Sequence, residues 1–177
     1  MDDISTHLPF FESLSARKKD RLAGCQYIAT HANDWEAFLW YAMAPKSNRL
    51  KVIITWCLEL YLIEHPLLLK TILNTYLEKL PQIKDESMRR ALSKVLYYYV
   101  KNKKTALTDR QIDRIITQAF DWLIEPAQVA TLNFALKLLQ LFQDHAPWVQ
   151  EEVKAIVVQQ LPTASPGYKA AAREILK

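Results

Sequence analysis

The chemistry this sequence can offer is concentrated between residues 84 and 104, where Lys84, Arg89, Arg90, Lys94, Lys101, Lys103 and Lys104 stand against only Asp85 and Glu86. That local excess of five positive charges is larger than the formal +4 of the whole chain. Tyr97, Tyr98 and Tyr99 fall in the same stretch. Successive residues on a helix point about 100° apart, so the three rings cannot all face a core. Cations beside an exposed ring can hold phosphates and stack a base, or grip an acidic protein segment. The candidate binding patch is therefore Arg89, Arg90, Lys94, Tyr97, Tyr98, Lys101, Lys103 and Lys104. Its expected partner is a protein with an acidic segment, and nucleic acid is the alternative. A structural reading competes: basic side chains near a helix C-terminus complement its dipole, and a lysine-rich connection is an ordinary solvated turn. A second cluster, Arg17, Lys18, Lys19 and Arg21, encloses Asp20 and reads as a solvated terminal face.

Other reactive residue types are placed for structure. His7, His31, His65 and His145 sit at or near expected helix ends, with no HxxxH pair or Cys–His cluster at metal-ligand spacing, so no metal site is expected. Cys25 and Cys57 lie inside apolar helical patterns and read as small buried hydrophobes rather than a disulfide framework. Asp85, Glu86, Asp109, Glu151 and Glu152 are expected in first helical turns, where negative charge suits the dipole. No serine elbow, phosphate loop or nucleophilic cysteine motif is present, so a non-enzymatic protein without a cofactor is expected.

The elements that position these residues must be helices. Half of the chain is hydrophobic and 24% is charged, enough for a core with a polar surface. The only glycines are Gly24 and Gly167, which disfavours β-hairpins and glycine-rich phosphate loops alike. The start, Met-Asp-Asp, does not resemble a signal peptide, and the apolar stretch 52–63 is interrupted by Glu59 and too short to span a bilayer. A cytoplasmic protein without a membrane partner is the expectation.

Prolines give the organisation. Pro45, Pro66 and Pro81 recur 81 positions later as Pro126, Pro147 and Pro162, and the intervals 9–45, 45–81 and 126–162 are each 36. Side chains follow the longer offset: Ile53, Cys57, Leu58, Leu60 and Tyr61 map onto Phe134, Leu138, Leu139, Leu141 and Phe142, although Val52 meets Asn133 and Leu73 meets Lys154. Apolar spacing predicts helices over 14–29 and 33–44, the second capped by Asn33 or Asp34. Residues 47–80 follow as two helices, the second opened by Pro66. A third pair spans 85–125, with Thr108 and Gln111 as a capping box. A fourth pair spans 126–161, and a closing helix starts near 165. Pro81 and Pro126 are 45 apart, so nine extra residues are expected in the basic connection 101–105.

Helix pairs of this period, punctuated by proline and carrying an arginine near the start of a first helix (Arg49; Arg89 or Arg90), resemble the HEAT and armadillo superfamily. The resemblance covers residues 14–177. It implies a single all-α domain, a right-handed α-solenoid of antiparallel hairpins at 13–44, 47–80, 85–125 and 126–161 with a terminal helix at 165–177, about nine helices in all. Each hairpin there covers the apolar face of the next. Members are mostly scaffolds that bind other macromolecules, which implies a protein–protein interaction module. A small group similar to them excises alkylated bases from DNA. That activity would need an acid and aromatic rings to hold an extruded nucleotide. Asp121 beside Trp122, with Trp56 or Trp148, is the combination this chain offers, and Asp34 with Trp35 is a poorer one.

Overall fold

A computed structural model of the chain describes residues 4–103, 107–125 and 129–176. Every regular element among them is helical: α1 (Leu8–Glu12), α2 (Lys18–Thr30), α3 (Trp35–Ala42), α4 (Arg49–Glu64), α5 (Leu69–Lys79), α6 (Glu86–Lys103), α7 (Asp109–Ile124), α8 (Val129–Gln140), α9 (Pro147–Gln160) and α10 (Pro166–Ile175). The helix beyond the expected nine is the short α1. The first expected helix also starts later, at Lys18, because the Ser15 amide and hydroxyl both donate to Asp20 Oδ2 and fix a bend ahead of it. Of the two residues expected to cap α3, Asp34 holds the position, without a side-chain hydrogen bond.

Contacts divide the chain into two compact units, Met1–Val95 and Leu96–Lys177, with the boundary inside α6. In the first unit α4 is the central helix, packing on α2 and α3. It is buried almost all round, including Ile53, Ile54, Cys57, Leu58, Tyr61 and Leu62, as a helix enclosed by neighbours must be. Asn48 caps it by accepting from the Lys51 amide. Lys51 then turns its ammonium back onto the carbonyls of Ala44, Pro45 and Lys46 at 2.9–3.0 Å. This satisfies a turn in which Lys46 is held at φ 65, in the left-handed region. Arg49 ties the same end of α4 to the Leu14 carbonyl at 2.5 Å.

Gly24 is required where α2 crosses α4. A Cβ at that position would lie 2.2 Å from the Cys57 sulfur and 3.1 Å from Leu14 Cδ1. Both cysteines are free and buried, as the apolar pattern predicts.

After α4 the chain does not make the antiparallel return expected for residues 47–80. His65 leaves helical geometry at φ −122, Pro66 opens a 3₁₀ turn over Pro66–Leu68, and the stretch Pro66–Gln82 runs at 101° to α4. Tyr76 of α5 is fully enclosed and donates its hydroxyl to the Leu92 carbonyl at 2.8 Å, which fastens α5 to α6.

In the second unit α8 is central, packing on α7, α9 and α10. Thr108 and Gln111 form the predicted capping box of α7. That helix buries Ile112, Ile115, Ile116, Ala119, Trp122 and Leu123 and packs on α8, which buries Ala135, Leu136 and Leu139.

The 81-residue offset is visible in the backbone. The 3₁₀ turn Leu80–Gln82 recurs as Leu161–Thr163, each built on a Leu-Pro pair whose proline needs no amide partner at that point. Asp85 accepts from the Met88 amide and Ser165 from the Tyr168 amide, three residues on in both cases. The second copy is thus one residue shorter between turn and cap. Pro126 lies outside the described residues. No single helix among those described is long and apolar enough to cross a membrane.

Candidate functional site

The basic patch expected from the sequence is not one free surface. Its first three cations lie in the first unit and are used there. Arg89 is buried, donating from Nε to the Ile83 carbonyl at 2.7 Å and from Nη1 to Glu86 at 3.1 Å. Arg90 and Lys94, one turn apart on α6, both reach Glu59 of α4, at 2.8 Å each. Glu59 is only 3% exposed. A buried carboxylate needs paired charge and hydrogen bonds, and these two side chains provide both. Arg90 and Lys94 therefore hold α6 on α4, while Arg89 ties the start of α6 to the turn before it.

The remainder of the patch falls in the second unit. Tyr97 and Tyr98 are half-buried, and Tyr99 is in the core. Tyr97 packs against Phe134, with Lys137 Nζ 5.8 Å above the Tyr97 ring. Lys101 is exposed, but on the last turn of α6 rather than in a connection, because the helix runs on to Lys103. Lys104 lies outside the described residues, as does the side chain of Lys103. The tryptophans considered for base excision differ in exposure, Trp148 being the exposed one. Trp122 is 2% exposed and packed in the core, so it offers no stacking face beside exposed Asp121. Trp56, in the first unit, is half-buried with the Arg21 guanidinium 5.9 Å over its ring. Trp35 is a core residue beside Asp34. Among the described residues no group of three His, Cys, Asp or Glu side chains is placed to hold a metal ion.

One surface stands out in the second unit. Trp148, in the first turn of α9, is 56% exposed and stacks on Phe120 of α7, with ring centroids 5.8 Å apart and planes 16° apart. Ile124, four residues beyond Phe120 and so on the same side of α7, is 64% exposed. It also borders a cleft of about 320 Å³ whose walls include Leu123, Val129, Leu132, Gln160 and Tyr168. Two hydrogen bonds link its walls: Tyr168 donates its hydroxyl to Gln160 Oε1 at 2.5 Å, and Gln160 Nε2 donates to the Leu123 carbonyl at 2.9 Å. An exposed tryptophan stacked on a half-buried ring, beside an exposed isoleucine and a cleft of mixed polar and apolar lining, is unusual on a surface that water alone covers.

Acids flank the stacked pair in the sequence. Asp121, Asp144, Glu151 and Glu152 are all exposed, and none has a basic side chain within ion-pair distance among the described residues. Because α9 begins at Pro147, Glu151 and Glu152 fall in its second turn, not the first as expected, so the helix dipole does not account for them. The sequence has no Lys or Arg at 115–136 or 138–153.

The sequence signal for this face was partial. Trp148 is conspicuous by type, but Phe120 and Ile124 sit one step round from the buried stripe 112, 115, 116, 119 and 123. At that position the pattern does not separate the edge of a core from an exposed ridge. Comparison with known proteins finds no matching family model, no matching curated protein and no matching solved structure.

Proposed function

We propose that the chain is a HEAT-like helical repeat protein acting as a non-enzymatic binding module, which docks another protein on the Trp148 face of its second unit. The observation that carries this reading is the exposed Trp148 stacked on Phe120 beside Ile124 and the cleft. A tryptophan buries a large area when covered and is enriched where partners contribute most of their binding energy. The recurrence of the Leu-Pro turn and its cap after 80 or 81 residues supports the repeat architecture. Nucleic-acid binding through α6 is the weaker reading, because Arg89, Arg90 and Lys94 already answer Ile83, Glu86 and Glu59.

Affinity capture with the native chain and with Trp148→Ala/Ile124→Ser, run side by side, tests the proposal. Both substitutions remove exposed side chains, so the variant should fold. Proteins retained by the native chain and lost from the variant are the expected result. An identical captured set from both would remove this face as the binding surface.

A further inference from the structure

The chemistry of this face also specifies its partner. Building on the binding-module reading, we infer that the occupant is a basic, arginine-bearing helical segment of another protein, with its guanidinium stacked on Trp148 and paired with Glu151 and Glu152.

Three observations converge on that occupant. The first is how this protein treats several of its other partly exposed rings, both half-buried tryptophans among them. Lys79 lies 5.6 Å from the centroid of the Trp40 ring, Arg21 lies 5.9 Å over Trp56, Lys51 lies 5.6 Å from Tyr41, and Lys137 covers Tyr97 and Phe134. Trp148 is the most exposed tryptophan, and among the described residues no cation lies over it. A cation over an indole face is favourable by electrostatics, and arginine is the commoner partner because its planar, weakly hydrated group stacks.

The second observation is charge. Glu151 and Glu152 lie three and four residues after Trp148, so they share its side of α9. An arginine over the indole has a carboxylate within one turn that can accept its paired N–H donors. Asp121, next to Phe120 in the sequence, and Asp144, four residues before Trp148, are exposed and carry the same sign. An acidic segment would meet repulsion there from Glu151 and Glu152.

The third is the apolar half of the face. Phe120 and Ile124 present a ridge about one helical turn long, which leads to the cleft bounded by Leu132, Gln160 and Tyr168. A partner helix whose leucine lies one or two turns from its arginine would place one side chain in the cleft and the other on the indole.

The test uses the full chain and a fluorescently labelled synthetic helix of about 18 residues, long enough to be partly preformed. One version carries Leu on one face and Arg on its borders, one replaces every Arg by Lys, and one replaces every Arg by Glu. The Arg helix should bind, should weaken as salt rises from roughly 50 to 300 mM, and should lose about tenfold or more in affinity with Glu151→Lys/Glu152→Lys and with Trp148→Ala. The Lys helix should bind more weakly than the Arg helix. Binding of the Glu helix in preference, or equal binding of the Arg helix by native chain and both variants, overturns the inference. So does association of the chain with itself at low salt that Trp148→Ala abolishes, since the exposed Arg17, Lys18 and Lys19 of a second copy would then be the occupant. A captured partner that depends on Trp148, with no binding of the Arg helix, would keep the docking face and reject the chemistry assigned to its partner.

Discussion

Glu59 and Arg90, far apart in sequence on α4 and α6, meet at 2.8 Å with the carboxylate at 3% exposure. Lys94 approaches the other carboxylate oxygen at the same distance. Arg90 and Lys94 keep about a quarter of their side-chain surface in water, so their desolvation is incomplete while that of Glu59 is nearly full. The two ends of the interaction therefore respond differently to substitution.

Glu59→Gln keeps the shape and removes the charge that answers two cations. Because those cations can turn to solvent, the expected loss is about 1–3 kcal/mol, the range for a buried polar group left poorly paired. Arg90→Ala/Lys94→Ala leaves the buried carboxylate unanswered and should cost more, about 3–5 kcal/mol. Urea unfolding of the two variants gives the order. A double substitution no more harmful than Glu59→Gln would mean the carboxylate is hydrated after all.

Gly24→Ala sets two opposing effects against each other. In an exposed helix the change would stabilise by about 1 kcal/mol through propensity. Here the new Cβ would stand 2.2 Å from the Cys57 sulfur, in the middle of a fully packed helix. Overpacking should dominate, for a net loss of about 1–3 kcal/mol. Adding Cys57→Ala removes the obstructing atom, so the double variant should recover much of the loss. Failure to recover would place the strain at Leu14, the other near neighbour.

Much of the helical scaffold could be read from the sequence because two signals are local. Apolar periodicity depends on which face of a helix is buried, and Ile53, Leu58 and Tyr61 with Leu138, Leu139 and Phe142, apolar in both copies of the repeat, are core residues. Proline at the first position of a turn and Thr108 with Gln111 at a helix start act within a few residues, so their outcome does not wait on the rest of the fold. What was not legible depends on distant partners. Seven bases between 84 and 104 look like a surface until Glu59, from another helix, is seen to need two of them. Pro66 says that α4 must end, but not that the next stretch leaves it at 101°. Phe120 and Ile124 lie at the edge of an apolar stripe, and the pattern alone does not say that Phe120 ends half-buried under Trp148 while Ile124 is exposed.

The Cys57 thiol provides a pH prediction. Burial, with Cys25 nearby, pushes it up from about 9 to about 12, only partly offset by Arg21. Cys25 is also raised, first by burial and then by Glu64. A thiol raised by folding favours the native state fully below its unfolded value. That contribution declines once the unfolded thiol ionises above about 9 and is gone at about 12. Stability should therefore fall with rising pH through that window, and less steeply in Cys57→Ala. Near pH 8 the native thiolate fraction of Cys57 should be about a thousandfold below that of a free thiol, so alkylation should follow unfolding. Rapid labelling of Cys57 in the native chain would contradict its enclosure.

Trp148 can be examined without any partner. Trp35 and Trp122 are buried, Trp40 and Trp56 are half-buried under Lys79 and Arg21, and Trp148 is 56% exposed. Acrylamide should quench a component of the fluorescence that disappears in Trp148→Phe, while Trp122→Phe should leave that component in place. The stack on Phe120 limits the cost to the fold, and Trp148→Ala should lose no more than about 1.5 kcal/mol, the range for an aromatic pair. A surface tryptophan that is dispensable to folding yet needed for docking is what the binding-module reading requires. If Trp148→Ala instead unfolds the second unit, Trp148 is a structural member of the α7 and α9 packing and the docking proposal loses its anchor.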